Sequence, residues 1–170
     1  GGLLSGLTGN RAALGILDDP IAGREEAESP TIRQKTWDAY LDDFCSRLIP
    51  GAPQIMILTR WHQADPAGRI LPEEWNGESG VFEGRDGRVW KVLCIPAQAE
   101  RPSDPLGRAV GEYLWPEWFS EAHFAPFKRN LRTWTSLYQQ RPAPEEGSYF
   151  KAEWFKRYAL GDLPKNLRVF

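Results

Sequence analysis

The order of apolar and polar residues predicts that strands and helices alternate in the first half of the chain. Residues 13–17 form a continuous apolar run, which suits a strand covered on both faces of a mostly parallel sheet. Ser29 and Pro30 then supply an N-cap and a first-turn proline for a helix. Residues 54–58 predict a second buried strand, so strand, helix and strand would form a parallel crossover unit. The helix carries an apolar stripe made of Trp37, Tyr40, Leu41, Phe44 and Leu48.

Turn-forming residues divide the remainder of this half. Gly9 and Asn10 favour a hairpin or a tight connection between two strands, one on each side. Asp65 and Pro66 predict the cap and first turn of a short helix that ends near residue 71. A third strand is expected over residues 89–95. Clusters of proline, glycine and polar residues, which indicate loops or linkers, occupy residues 50–53, 76–88 and 142–147.

The last third combines a tight turn with helical segments. Residues 104–107 read Asp-Pro-Leu-Gly, which predicts the turn. Two helices, not one, are expected between residues 120 and 140, because Pro126 and residues 130–133 interrupt the pattern. Their shared apolar face is predicted to contain Phe124, Phe127, Leu131, Trp134, Leu137 and Tyr138.

The composition favours a single water-soluble domain. The 170 residues are 41% hydrophobic and 26% charged, close to the globular average. A net charge of -2 provides no global positive field, so any contact with nucleic acid must be local. No apolar run in the sequence is long enough to span a membrane. Cys45 and Cys94 lack the spacing of a metal site, so we expect them to be buried, reduced thiols in a cytoplasm. The 8 tryptophans suggest a core more than base stacking.

Two adjacent acids follow the first predicted strand. Asp18 and Asp19, followed by Pro20, are similar to a Walker B element, in which a strand-end carboxylate lies beside the Mg²⁺ of a nucleoside triphosphate. Mg²⁺ keeps most of its waters, so one or two placed carboxylates together with substrate phosphates hold it. Successive side chains on a strand point in opposite directions, so the two acids can take different roles. Such pairs also occur as turn formers or helix caps, and that structural alternative stays open.

The second predicted strand also ends in polar residues. Thr59 is placed to hydrogen-bond the attacking water or the second acid, and Arg60 to stabilise charge on the transferred phosphoryl group. The structural alternative makes Thr59 a strand former and Arg60 an ion-pair partner of Asp18 or Asp19. His62 is expected to form a hydrogen bond or a cap, and Arg24 to lie in a salt-linked surface turn.

Motifs in this order resemble the large terminase subunit of tailed bacteriophages or prophages, the ATPase and nuclease that packages DNA. The Walker B-like part comprises residues 7–9, 16–21, 24–27 and 29–34. The coupling motif and the helix after it are similar to residues 58–62 and 67–69. The remaining matches are residues 95–97, 104–108, 114–119 and 137–142, so the resemblance covers nearly the whole chain.

The resemblance implies an α/β fold, namely part of a P-loop NTPase core with a mostly parallel sheet and flanking helices. Residues 1–141 correspond to the second half of the ATPase domain, and residues 142–170 to a linker and first strand before an RNase H-like nuclease. Asp18 would contact Mg²⁺ and Asp19 would be the catalytic carboxylate, while Thr59 would couple hydrolysis to movement. ATP is the implied nucleotide, and double-stranded DNA, the portal protein and the small terminase subunit are the implied partners. The motor would act in the bacterial host cytoplasm, with a homo-oligomeric ring on the portal.

The chain departs from the family pattern in three places. It contains no GxxxxGK[ST] loop to cradle phosphates, and no nuclease carboxylates, which the family carries beyond the two ends. Asp19 stands where many motor ATPases have glutamate, so a shorter side chain must reach the water. We therefore expect these 170 residues alone to be inactive.

Two other classes of function remain open on the sequence. A non-catalytic module would bind portal, small terminase subunit or DNA through its aromatic and arginine-rich second half, with Arg129, Arg132 and Arg141 as a basic face. A magnesium nuclease would use Asp18 and Asp19, but it needs a further carboxylate on another strand for a two-metal site.

Overall fold

The computed structural model describes Leu3 and residues 11–142 of the chain. Within these residues the fold is mixed α/β, with two separate two-stranded sheets. The strands are β1 (Gly15–Asp18), β2 (Gln54–Ile57), β3 (Gly80–Glu83) and β4 (Val89–Val92). The helices are α1 (Arg24–Glu28), α2 (Pro30–Ala39), α3 (Pro66–Ile70), α4 (Glu121–Lys128) and α5 (Leu131–Thr133).

β1 and β2 form the predicted parallel crossover unit. They pair in parallel, with Gly15 opposite Gln54 and Asp18 opposite Ile57. The helical segment between them begins as predicted, because the Ser29 side chain accepts a hydrogen bond from the Ile32 N–H at 3.3 Å. This arrangement brings the carboxyl ends of both strands to the same edge of the sheet.

The helical segment extends beyond α2 by two irregular turns. A π turn spans Tyr40–Phe44 and a 3₁₀ turn spans Cys45–Arg47. Tyr40 and Phe44 are buried against the sheet, whereas Leu41 is 42% exposed, so its predicted place in the apolar stripe is wrong. The first hydrophobic core comprises Leu3, Leu17, Ala39, Tyr40, Phe44 and Ile70, with Trp37, Leu48, Met56 and Trp90 packed around it.

The predicted third strand and the mostly parallel sheet need correction. β4 ends at Val92, short of residue 95, and pairs antiparallel with β3, which the sequence did not predict. Gly87 has a φ of 74° in the turn between them, and the Gly84 N–H donates to the Arg88 carbonyl at 2.7 Å. A local hairpin of this kind needs no crossover connection, so it forms a sheet of its own.

The last third of the described chain forms a second core. α4 and α5 are separate, as predicted, because Asn130 caps α5 by accepting the Thr133 N–H at 3.1 Å. A π turn over Trp134–Tyr138 continues α5. Leu131 is 71% exposed, which corrects its predicted place on the apolar face. The core consists of Ala97, Phe124 and Trp134, with Tyr113, Phe119, Phe127 and Tyr138 packed against it.

The turn at residues 104–107 is also confirmed. The Gly107 N–H donates to the Asp104 carbonyl at 2.9 Å, and Gly107 has a φ of 72°. Asp104 and Arg108 then form a buried ion pair at 2.8 Å, and the Arg108 guanidinium also donates to the Pro96 carbonyl. The turn therefore anchors the loop that precedes the second core.

Other expectations lie wholly or partly outside the described residues. The connection at residues 9 and 10, most of the linker at 142–147 and the strand at 168–170 belong to this group. In the described part of the chain, none of the helices is both long and apolar enough to cross a membrane. Cys94 is buried and Cys45 is half-buried, and both are free thiols.

Candidate functional site

Asp18 and Asp19 lie where β1 ends. Along the strand Gly15 and Leu17 are buried while Ile16 and Asp18 are exposed, so Asp18 projects from the outer face. Among the described residues, no hydrogen bond or ion pair engages the Asp18 carboxylate. Asp19 leaves the strand with a φ of 39°, in the left-handed region that aspartate tolerates better than most residues. The two acids therefore differ in backbone conformation, and the extended backbone on which the sequence argument for opposite side-chain directions rested ends at Asp18.

Asp19 and Thr59 meet at the carboxyl edge of the parallel pair. The Asp19 N–H donates to the Ile57 carbonyl at 2.9 Å, and the Asp19 Oδ1 accepts the Thr59 N–H at 2.9 Å. The carboxylate of Asp19 thus accepts a hydrogen bond from the backbone amide of Thr59. The sequence had suggested that the Thr59 side chain would make this contact. This carboxylate links the end of β1 to the residue that follows β2.

Arg60 lies in a different environment from the acids. The side chain is 7% exposed, its Nε is 2.7 Å from the Asp65 Oδ2, and its guanidinium faces the Trp75 ring at 5.4 Å. Within residues 11–142, no hydrogen bond or ion pair joins it to Asp18 or Asp19, so the structural alternative that paired it with those acids is wrong. Burial raises the pKa of the Asp65 carboxyl, and the Arg60 guanidinium and the Gly68 N–H act in the opposite direction.

The neighbouring Arg24 and His62 match their structural interpretations. Arg24 pairs with Glu28 at 3.6 Å and lies over the Trp61 ring at 5.7 Å. The Nδ1 of His62 accepts the Ala64 N–H at 2.9 Å, as a capping residue does. These contacts hold the segment after β2 against α1.

Two of the three arginines that were predicted to form a basic face, Arg132 and Arg141, are engaged in ion pairs. Arg132 is 3.1 Å from Glu28, and Arg141 pairs with Glu100. Partial neutralisation by these glutamates weakens the attraction that a basic face would have for phosphate groups.

The donor set at the end of β1 fits a magnesium ion that is held mainly by water and phosphate. Asp18 offers an exposed carboxylate on a strand end, and Mg²⁺ sites in phosphoryl-transfer proteins need one or two such groups. The described residues contain no group of three or more His, Cys, Asp or Glu side chains placed to hold a metal. A metal ion bound here would therefore need water or the oxygen atoms of a bound ligand for its remaining positions.

A groove beside β2 is the feature that sequence reasoning missed. It has a volume of about 550 Å³ and is lined by residues 54–58 of the β2 segment, Ile70, Leu71, Trp75, residues 90–95, Arg60 and Gln140. The only sequence signal was the apolar run at residues 54–58, which we expected to be buried; Ile55 and Ile57 are 47% and 55% exposed. Their exposure leaves one side of the strand open.

Comparison with known proteins leaves the family open. The chain matches no protein-family model, no curated protein and no solved structure.

Proposed function

We propose that this chain is part of a DNA-packaging motor ATPase, in which Asp18, Asp19 and Thr59 contribute to ATP hydrolysis and its coupling to movement. The observation that carries the proposal is the contact between Asp19 and Thr59 at the shared edge of β1 and β2. Ligands of open α/β sheets bind at this edge. The motif order that resembles large terminase subunits supports the same assignment.

Each residue has a role that follows from its position. Asp18 is exposed and unengaged among the described residues, so its carboxylate is available to bind Mg²⁺ or a water of its shell. Asp19 accepts the Thr59 N–H with one oxygen, which leaves its other oxygen to orient an attacking water. When bound with ATP, Mg²⁺ neutralises charge that develops on the transferred phosphoryl group.

Thr59 connects this chemistry to the rest of the fold. A change in the charge or position of Asp19 during hydrolysis would act directly on the Thr59 amide. Arg60 follows immediately and is fixed by Asp65, so displacement of Thr59 is transmitted to a rigid segment. The phosphate loop and the nuclease carboxylates must come from outside these 170 residues, and double-stranded DNA, portal and small subunit remain the proposed partners.

The test uses Asp18→Asn in the complete terminase-like protein. ATP turnover should be lost while DNA cleavage continues, because the variant removes the metal-binding charge and keeps the shape of the side chain. Asp42→Asn removes the same charge from an exposed helical position and should retain ATP turnover. The opposite result, with cleavage lost and ATP turnover kept, would favour the nuclease alternative.

The isolated chain supplies a second test. Without a phosphate loop it should show no magnesium-dependent ATP hydrolysis, measured as release of inorganic phosphate. If the purified 170 residues hydrolyse ATP and Asp18→Asn abolishes this activity, the proposal that ATP hydrolysis needs a phosphate loop from outside these residues is wrong.

A non-catalytic interaction module is the second candidate, favoured by two exposed indoles. Trp115 and Trp118 are 60% and 69% exposed, and their rings lie 5.5 Å apart. Trp115 has a φ of 53°, an unusual conformation for a bulky residue, which presents the ring to solvent. If this candidate is correct, Trp115→Ala with Trp118→Ala should weaken portal binding and leave ATP turnover unchanged.

A further inference from the structure

Gln140 has a backbone conformation that glutamine seldom adopts. Its φ of 58° lies in the left-handed region, just after the π turn Trp134–Tyr138, at a position where helices most often have glycine. Any residue with a Cβ is strained there relative to glycine. Strain of this kind persists where the surroundings hold it, and it often marks a residue whose side chain has a task of its own.

The side chain of Gln140 joins the second core to the segment that follows β2. Its Oε1 accepts the Arg60 N–H at 3.4 Å, and its Nε2 donates to the Leu137 carbonyl at 2.7 Å. The amide just before Arg60 is that of Thr59, which donates to the Asp19 carboxylate. Two consecutive amides therefore bond in different directions, one to the acid at the end of β1 and the other to Gln140.

The residues on both sides of Gln140 are held in the second core. Gln139 is 2% exposed and makes two hydrogen bonds with the backbone of Gln98. Arg141 forms an ion pair with Glu100. A displacement of the Arg60 amide would therefore act on a residue whose two neighbours are anchored.

The bond between Arg60 and Gln140 is the longest in this series of contacts. Its 3.4 Å compares with 2.9 Å from the Thr59 N–H to Asp19 and 2.7 Å from the Arg60 Nε to Asp65. Hydrogen bonds from N–H to oxygen most often measure about 2.9–3.0 Å, and longer ones are weaker. This contact is therefore the one that a small displacement of Thr59 would open or tighten first.

We propose that Gln140 is a positioning residue that links the edge formed by Asp19 and Thr59 to the second core. When Thr59 moves with Asp19, the Arg60 amide opens or tightens its bond to the Gln140 Oε1. The bonded and open forms of this contact are the two arrangements that coupling between sites requires. The role of this link in a motor rests on the proposed ATPase function, whereas the link itself is a property of these 170 residues.

The first test measures hydrogen exchange by NMR in Gln140→Met. Methionine has the same length and the same backbone strain but offers no amide oxygen. Exchange of the Arg60 amide should become roughly 2–10-fold faster, which corresponds to the net loss of one hydrogen bond. Because coupling is reciprocal, the Thr59 amide should also exchange at least about twofold faster, although its own acceptor is unchanged. Gln63→Met makes the same substitution at an exposed position and should alter neither rate. Unchanged exchange at Thr59 would overturn the proposal.

Gln140→Glu distinguishes positioning from a purely local role. A carboxylate still accepts the Arg60 N–H but cannot donate to the Leu137 carbonyl. If positioning is correct, the Thr59 and Arg60 amides should exchange in this variant as they do in the parent. If Gln140→Glu behaves like Gln140→Met, the side chain only completes the helical turn and the proposal fails.

A substitution at the opposite end of the link needs no change at Gln140. Asp19→Gly removes the acceptor of the Thr59 N–H, and glycine tolerates the left-handed conformation of that position. The NMR signals of the Gln140 side-chain amide should then shift. Signals that stay at the parent's positions would contradict the link.

The role in a motor is measured in the complete terminase-like protein. The length of DNA moved for each ATP hydrolysed should fall at least about twofold in Gln140→Met and recover in Gln140→Glu. An unchanged ratio in Gln140→Met would refute a role in coupling. A parent protein that hydrolyses no ATP would instead refute the proposed function, and the exchange results at Thr59 and Arg60 would still decide whether the link exists.

Discussion

At the residue scale, Asp19 combines an unusual backbone conformation with a side-chain hydrogen bond at the end of β1. Its φ of 39° is tolerated by aspartate and asparagine, and its Oδ1 accepts the Thr59 N–H. The sequence indicated that this acid lies near Thr59, but it did not indicate that the backbone amide is the donor. The same residue is therefore both a structural link and the proposed catalytic carboxylate.

Substitutions at Asp19 should separate these two roles. Asp19→Ala should lower the free energy of unfolding by about 1 kcal/mol, because it loses the hydrogen bond and strains the left-handed residue. Asp19→Asn keeps an acceptor and tolerates the conformation, so its stability should remain near that of the parent. Urea denaturation followed by tryptophan fluorescence measures both. In the complete motor, Asp19→Asn should nevertheless lose ATP turnover; a stable, fully active variant would remove Asp19 from the proposed mechanism.

The free energy of unfolding should depend on pH through the ionisation of the Asp104 carboxyl. Hydrogen bonds from Arg108 lower the pKa of the Asp104 carboxyl, and the side chain is 1% exposed. A lowered folded-state pKa means that ionised Asp104 stabilises the fold above its unfolded pKa of about 3.9. That contribution is lost as the pH falls through the folded-state pKa.

Asp104→Asn should therefore be destabilised at pH 6 by about 1–3 kcal/mol, because Arg108 keeps an oxygen acceptor and the Pro96 carbonyl but loses the opposite charge. The difference from the parent should shrink as the pH falls below about 4. Urea denaturation at a series of pH values measures the trend, with the exposed Glu117→Gln as control. A difference that stays constant down to pH 3 would show that Asp104 is not held ionised by Arg108.

At the scale of elements, Gly15 determines how closely β1 approaches the helical segment. A Cβ added at Gly15 would lie 2.6 Å from the Phe44 ring and 3.0 Å from Leu48. Gly15→Ala should lower the free energy of unfolding by about 1–3 kcal/mol, as overpacking does. Gly23 provides the matched control, because a Cβ added there would meet no described residue within 4 Å and its φ of 173° is extended.

The predicted clash at position 15 should be relieved by a second substitution at the residue that the added methyl group meets. Phe44→Leu shortens the side chain at the point of contact, so Gly15→Ala should be less harmful in that background than in the parent. A double-mutant cycle by urea denaturation measures this coupling. Additive effects would mean that β1 and the π turn move apart to accept the methyl group.

Sequence signals that act over only a few residues, such as helix caps, predicted the starts of helices correctly. The predicted caps at Ser29 and Asp65 accept backbone N–H groups, because a capping side chain reaches only the next turn. β3 was missed because its 4 residues lie in a stretch rich in glycine and charge, and its pairing depends on β4. Strand pairing is a longer-range property than capping, so local composition predicts it less reliably.

At the scale of the whole molecule, Gln139 ties the last helical turn to the loop before the second core. Its side chain is 2% exposed, accepts the Gln98 N–H and donates to the Gln98 carbonyl, both at 3.0 Å. Glutamine supplies both groups, which a carboxylate or an apolar residue does not.

Gln139→Ala should lower the free energy of unfolding by about 1–3 kcal/mol, because two half-buried backbone groups of Gln98 lose their partners. Gln139→Glu should also be destabilising, since a carboxylate cannot donate to the Gln98 carbonyl. The exposed Gln63→Ala serves as control in thermal and urea denaturation. If Gln139→Ala unfolds with the parent's midpoint, water has replaced the amide.

The sequence by itself determined the crossover unit, the capped helix starts, the turn at residues 104–107 and the meeting of Asp19 with Thr59. Each follows from periodicity, from capping chemistry or from the rule that parallel strands end at one edge. Only the tertiary structure decided that Arg60 pairs with Asp65, that Leu131 is exposed and that the edge of β2 faces an open groove. These features depend on which segments pack together, and one strand or one arginine is compatible with several partners until the fold selects among them.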